Sequence, residues 1–166
     1  AQYSLAMTDN IKLYVNYVGG ERPTDSLGYN QFDAVLTAKF SDKFNMGFNG
    51  TFQSTKSKTA EARSLKETAK DWWGSAVYLN LDPTATVGFT LRSEYFSDKN
   101  QIVALSTAPV GAAIWANTLS MNIKAGPLTF IPEIRFESSS EAVFVNKESG
   151  SLKSNTSALI AAIYKF

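Results

Sequence analysis

The sequence predicts an all-β fold: an antiparallel meander of about nine strands that crosses a membrane as the wall of a β-barrel. Three observations carry this. Apolar and polar residues alternate one by one through nearly every strand-length stretch, which is the period of a strand and not of a helix. Tight turns and long polar connections take turns along the chain, and that sorts short turns to one rim and long loops to the other. The last stretch, SALIAAIYKF, puts Phe166, Tyr164, Ala162, Ile160 and Ala158 on one apolar face and stops on an aromatic residue, where a terminus bathed in water is ordinarily polar and frayed.

Each element reads in order. AQYSLAMT sets Tyr3, Leu5 and Met7 against Gln2, Ser4, Ala6 and Thr8, and IKLYVNYV sets Ile11, Leu13, Val15 and Tyr17 against Lys12, Tyr14, Asn16 and Val18. QFDAVLTAKF sets Phe32, Ala34, Leu36, Ala38 and Phe40 against Gln31, Asp33, Val35, Thr37 and Lys39. FNMGFNGTFQ is the cleanest, with Phe44, Met46, Phe48 and Phe52 opposite Asn45, Gly47, Asn49, Thr51 and Gln53. WWGSAVYLNL places Trp73, Val77, Leu79 and Leu81 opposite Gly74, Ala76, Tyr78 and Asn80. TVGFTLRSEYF places Val87, Phe89, Leu91 and Tyr95 opposite Gly88, Thr90, Arg92 and Glu94. IWANTLSMNIKA places Trp115, Leu119, Met121 and Ile123 opposite Thr118, Ser120, Asn122 and Lys124. LTFIPEIRFE places Leu128, Phe130, Ile134 and Phe136 opposite Thr129, Glu133, Arg135 and Glu137, with Pro132 expected to mark a bulge or a strained point. The terminal strand completes the series. Strands of roughly ten residues span a bilayer when tilted.

The tight connections are TDN at 8–10, SDK at 41–43, DPTA at 82–85 and AGP at 125–127; the long ones are 19–30, 55–71, 97–113 and 138–152. Within the second long loop, TAEARSLKETAK carries helix formers and predicts a short helix. The polar face is rich in Gly, Ala, Ser, Thr and Asn and carries charge in mid-strand, which suits a wet lumen. The outside of a soluble barrel would be richer in Lys and Glu. Aromatic residues gather near strand ends: Phe40, Phe44, Trp72, Trp73, Tyr95, Phe96, Trp115, Phe130, Phe136, Tyr164 and Phe166. They read as two interfacial girdles.

Composition narrows the chemistry. The chain has 166 residues, one domain's length, with no Cys and no His. Disulfides, thiolate nucleophiles, zinc sites and the usual serine triads are therefore absent. A net charge of +1 gives no reason to expect nucleic acid. The lumen-lining candidates are Lys39, Arg92, Glu94, Lys124, Glu133, Arg135 and Glu137, with Lys12, Asp33 and Lys165 also on the inward face. Charge inside a membrane wall must be wet or paired, so Arg92 is expected to pair with Glu94 or Glu133. Such residues either prop the wall or filter solutes by charge. Glu94 and Glu133 could form a carboxylate pair for glycosidic chemistry, but the neighbouring Arg92 and Arg135 favour ion pairing, and no enzymatic activity is expected. DKN at 98–100 and ESSSEAVF at 137–144 carry oxygen ligands without the spacing of a calcium loop, and no cofactor is expected.

The segments YSLAMTDNIKLYVNYVGG, TAKFSDKFNMGFNGTFQ, DWWGSAVYLNLD, LRSEYFSDKN, LTFIPEIRFESSSEAVF and TSALIAAIYKF, in this order, resemble the OmpL-like β-barrel porins of Gram-negative bacteria. The resemblance implies an outer-membrane porin-like barrel that passes small solutes. The rival expectation is a non-conducting structural anchor or a subunit of a larger outer-membrane assembly. Tyr164 and Phe166 resemble the C-terminal signal by which the barrel-assembly machinery recognises its substrates. Outer-membrane lipid is the other expected partner, and a homo-oligomer is open. Members of the family are longer, so residues 1–166 are expected to be a single domain forming the C-terminal portion of a longer barrel. The alternative is that residues 1–10 peel away and eight strands close alone.

Overall fold

The computed structural model describes residues 1–21, 27–57, 70–106, 108–147 and 150–166. Nine strands make one sheet: β1 (Gln2–Thr8), β2 (Ile11–Glu21), β3 (Leu27–Lys39), β4 (Phe44–Ser57), β5 (Lys70–Leu81), β6 (Val87–Asp98), β7 (Ala112–Ala125), β8 (Leu128–Ser139) and β11 (Ser154–Tyr164). Between β8 and β11 a two-residue hairpin, β9 (Phe144–Val145) and β10 (Ser151–Leu152), stands by itself. The order is sequential and every pairing antiparallel.

Strands reach further into the long connections than alternation suggests. β2 and β3 extend to Glu21 and Leu27, and β4 and β5 to Ser57 and Lys70. Alternation fades there, since hairpins rising above a membrane have water on both sides and no reason to alternate. Of the segment expected to form a short helix, residues 59–69 lie outside the described residues and Lys70 opens β5. Three tight turns are closed by one device. Thr8 Oγ1 accepts from the Asn10 and Ile11 amides, Ser41 Oγ from Lys43 and Phe44, and Thr84 Oγ1 from Thr86 and Val87. A short hydroxyl can thus satisfy amides that leave the ladder at the turn. The fourth turn uses Gly126 at φ 61° followed by Pro127, a left-handed position that glycine takes at no steric cost.

Pro132 makes no bulge. The β7–β8 register is the same on both sides of it, from Ser120↔Glu133 to Ile123↔Phe130, and only the rungs between are missing. A proline removes one donor, but the neighbouring pairs hold the stagger. Among the described residues the pairing register shifts instead at Ala6/Thr8 in β1.

The sheet is inside out relative to a soluble protein. Among the described residues the buried apolar side chains are Ala76, Leu105, Ala112, Ala113 and Ala116, while large apolar residues such as Leu91, Leu119, Trp115 and Phe136 stand about half exposed on the outer face. An exposed apolar surface of this extent marks contact with another apolar phase. Outer aromatics near the long loops touch one another: Tyr17 with Phe32 at 5.1 Å, Trp73 with Tyr95 at 4.8 Å and Tyr95 with Trp115 at 6.1 Å between ring centroids. Phe40 and Phe44 stack at 5.5 Å near the short turns. Trp72 and Phe96 leave the girdle: they follow the inward parity of their strands and meet each other at 5.8 Å. In Trp72–Trp73 and Tyr95–Phe96 the two neighbours must face opposite sides of a pleated strand.

The sheet does not close on itself among the described residues. β2 pairs with β1 and β3, and β11 with β8. The eight-stranded closed alternative is therefore not the arrangement found, because β1 occupies the edge of β2 that β11 would need.

Candidate functional site

Among the described residues the inward side chains form a polar wall with three hydrogen-bonded networks. The first spans β6 to β11. Register places Arg92, Thr118 and Arg135 in one inner row and Glu94, Ala116, Glu137 and Asn155 in the next. Ala116 and Thr118 are short, so the long side chains of β6 and β8 meet over β7. Arg135 Nη1 donates to Glu94 Oε2 and, at 3.0 Å, to Thr118 Oγ1; Arg135 Nε donates to Glu137 Oε1 at 3.0 Å. Asn155 Nδ2 donates to the other Glu137 oxygen at 2.9 Å. Ala116 and Thr118 are buried beneath this layer.

Arg92 joins from the end of the network. Its Nε lies 3.0 Å from Glu94 Oε2 without hydrogen-bond alignment, so the two form an ion pair only. Of the lumen candidates the structure thus unites Arg92, Glu94, Arg135 and Glu137. Glu133 faces Ser120 on β7 and Leu159 on β11 and has no ion pair among the described residues. Lys39 and Lys124 belong to the short-turn rim. Lys39 Nζ bonds Asp42 at 2.7 Å, and this hydrogen bond, with the ammonium charge, holds the Asp42 carboxyl below its ordinary value. Lys124 is exposed beside Asp42, Lys43, Asp82 and Thr84.

The second network centres on Asp33. Its carboxylate accepts from Asn16 Nδ2 and Asn49 Nδ2 at 2.7 Å each, and from Thr51 Oγ1 at 2.8 Å. In the third, toward the short turns, Asn80 Nδ2 donates to Asn45 and Thr90 Oγ1 donates to Asn80, at 2.8 and 2.7 Å. A hollow of about 670 Å³ opens in this half of the wall, lined by Lys12, Thr37, Lys39, Asn45, Asn49 and Tyr78 among others. Gly47 lies there against the Tyr78 side chain of the next strand. Asp33→Ala should lower the unfolding midpoint in detergent by the equivalent of about 1–3 kcal/mol, because three donors lose a charged acceptor. An unchanged midpoint would show that water replaces the carboxylate at no cost.

The partners Thr118, Asn155, Asn16 and Asn49 were not singled out from the sequence. Parity puts all of them on the inner face, but only the stagger between strands brings each to its carboxylate. The oxygens of Asp98, weighed above as calcium ligands, accept backbone amides instead.

The chain's wall is apolar outside and hydrogen-bonded inside, with long loops on one rim and tight turns on the other, as outer-membrane barrels are built. The sequence model of the family described as "Putative beta-barrel porin-2, OmpL-like" matches residues 1–166. No curated protein and no solved structure matches the chain. With the family match covering the whole of a sheet that already has the faces of a lipid-embedded wall, the chain belongs to the OmpL-like β-barrel porins of the Gram-negative outer membrane.

Proposed function

We propose that the inner wall lines a water-filled passage through which small hydrophilic solutes cross the outer membrane passively, without catalysis. The observation that supports this most is the pairing of Arg92, Glu94, Arg135 and Glu137 on the face opposite the lipid-facing residues. Charges of both signs are affordable there only beside water or each other, and they leave the wall polar without a strong excess of either sign. The reading therefore favours weak ion selectivity. Reconstitution in planar bilayers should give stepwise currents with a reversal potential near zero in a salt gradient. A folded, correctly inserted protein that stays silent would favour the second reading, a non-conducting anchor or subunit.

Two free sheet edges support a role within a larger barrel. β1 is exposed throughout and β11 almost throughout, and unpaired strand edges are not stable in hydrocarbon. Nine alternating strands leave β1 and β11 running the same way, so an all-antiparallel closure takes an odd number of further strands. We infer that residues 1–166 act as one domain that forms part of such a barrel, with the further strands supplied in cis or by another copy. Tyr164, outward by its pairing with Leu128, and Phe166, just beyond the strand, are highly exposed at the end of β11, which has no second neighbour among the described residues. This supports recognition of that strand by the barrel-assembly machinery through edge pairing. Loss of membrane insertion in Phe166→Ser with an intact wall sequence would be the corresponding result.

A further inference from the structure

The connection after β6 is not a free extracellular loop. Asp98 lies on the inner face, in line with Arg92 and Glu94, and is fully buried. Its Oδ1 accepts the amide of Ile102 at 2.8 Å, and its Oδ2 accepts those of Val103 at 3.1 Å and Leu105 at 3.0 Å. An inward-pointing carboxylate can gather three loop amides only if the loop itself turns inward over the wall. Leu105 is buried, as is inward-facing Ala112 opposite Asp98, while Ala104 and Ser106 remain exposed. The loop thus has a wall side and an open side.

Its neck is closed by separate contacts. Asn100 Nδ2 donates to both Asp71 O and Asp71 Oδ1, at 3.0 and 2.8 Å. Gly111 packs against the Lys99 backbone so closely that a Cβ would have no room. Gln101 takes a left-handed φ of 54° and ties its side chain to the Ala108 carbonyl. Joined ends and self-packing are the marks of a compact Ω-loop.

We infer that residues 99–106 and 108–111 form a strap folded onto the inner wall at the long-loop mouth, latched by Asp98, and that it narrows the opening. The placement stands on the hydrogen bonds alone; the narrowing rests also on the passage proposed above. The experiment uses the cysteine-free chain in detergent micelles and then in bilayers. A single thiol introduced by Leu105→Cys should react with a hydrophilic maleimide on the order of tenfold more slowly than one introduced by Ala104→Cys, since reaction needs local opening. Adding Asp98→Asn, which turns one acceptor oxygen into a donor, should erase that difference while the β-type circular dichroism persists. Asp98→Ser serves if the Asn variant does not fold.

Equal rates at 104 and 105 in the parent would overturn the strap. An unchanged difference after loss of Asp98 would overturn the latch. In bilayers, Asp98→Asn should conduct more than the parent; equal conductance with a released loop would overturn the narrowing. Silence from both proteins would count against the passage itself, and the thiol rates would still decide the strap.

Discussion

Leu119→Arg is expected to lower folding stability in lipid by about 2–4 kcal/mol, while Ser120→Arg, one residue along, costs far less. Leu119 stands in the middle of β7 on the outer face, about half exposed, paired with Leu91 and Ile134. An arginine there would meet hydrocarbon. Ser120 points the other way and sits directly opposite Glu133, so an arginine at 120 would reach water and a carboxylate. Adjacent strand residues face opposite solvents, and a charge distinguishes those solvents more sharply than any other group. The measurement is a pair of urea or guanidinium unfolding midpoints in phospholipid vesicles. Equal losses at the two positions would refute the assignment of faces. A folded, monodisperse parent protein in plain buffer would refute the membrane wall altogether.

Arg135→Ala should be the most damaging of the inner-wall charge removals. It strips Glu94 and Glu137 of their shared partner and Thr118 of a donor. Breaking a fully buried pair costs about 3–5 kcal/mol. Here the three charged side chains are 26%, 27% and 16% exposed, and water can partly resolvate the orphaned carboxylates, so about 1–3 kcal/mol is the expected loss. Arg92→Ala should cost less, because among the described residues Arg92 is ion-paired with Glu94 alone and its Nε is poorly aimed. Lys43→Ala, in an exposed turn, should stay within about 0.5 kcal/mol of the parent. Adding Glu137→Gln to Arg135→Ala should recover part of the loss, since Glu137 loses its ion pair with Arg135 whereas Glu94 keeps Arg92. If Arg92→Ala proved as costly as Arg135→Ala, the network would not be centred on β8.

Alternation was enough to find the strands of the wall, the sides they present and the sorting of short turns from long loops. These are local properties. A pleated backbone sends successive side chains to opposite sides whatever its neighbours are, so Leu119 and Ser120 can be told apart without knowing what either touches. The same rule, applied strictly, removes Trp72 and Phe96 from the outer girdle, where clustering in sequence had grouped them with Trp73 and Tyr95. Only the folded sheet could settle what depends on stagger between strands. Arg135 meets Glu94 over Ala116 and Thr118 because β6, β7 and β8 pair in one register; a shift of two residues would keep every face and give each carboxylate a different partner. Asp98 reads as one more polar residue at a strand end, and its three amide partners exist only once the loop has turned inward. The open edges of β1 and β11 are likewise a property of pairing. Side-chain direction is written residue by residue, whereas contact between distant strands is fixed by the packing of all of them together.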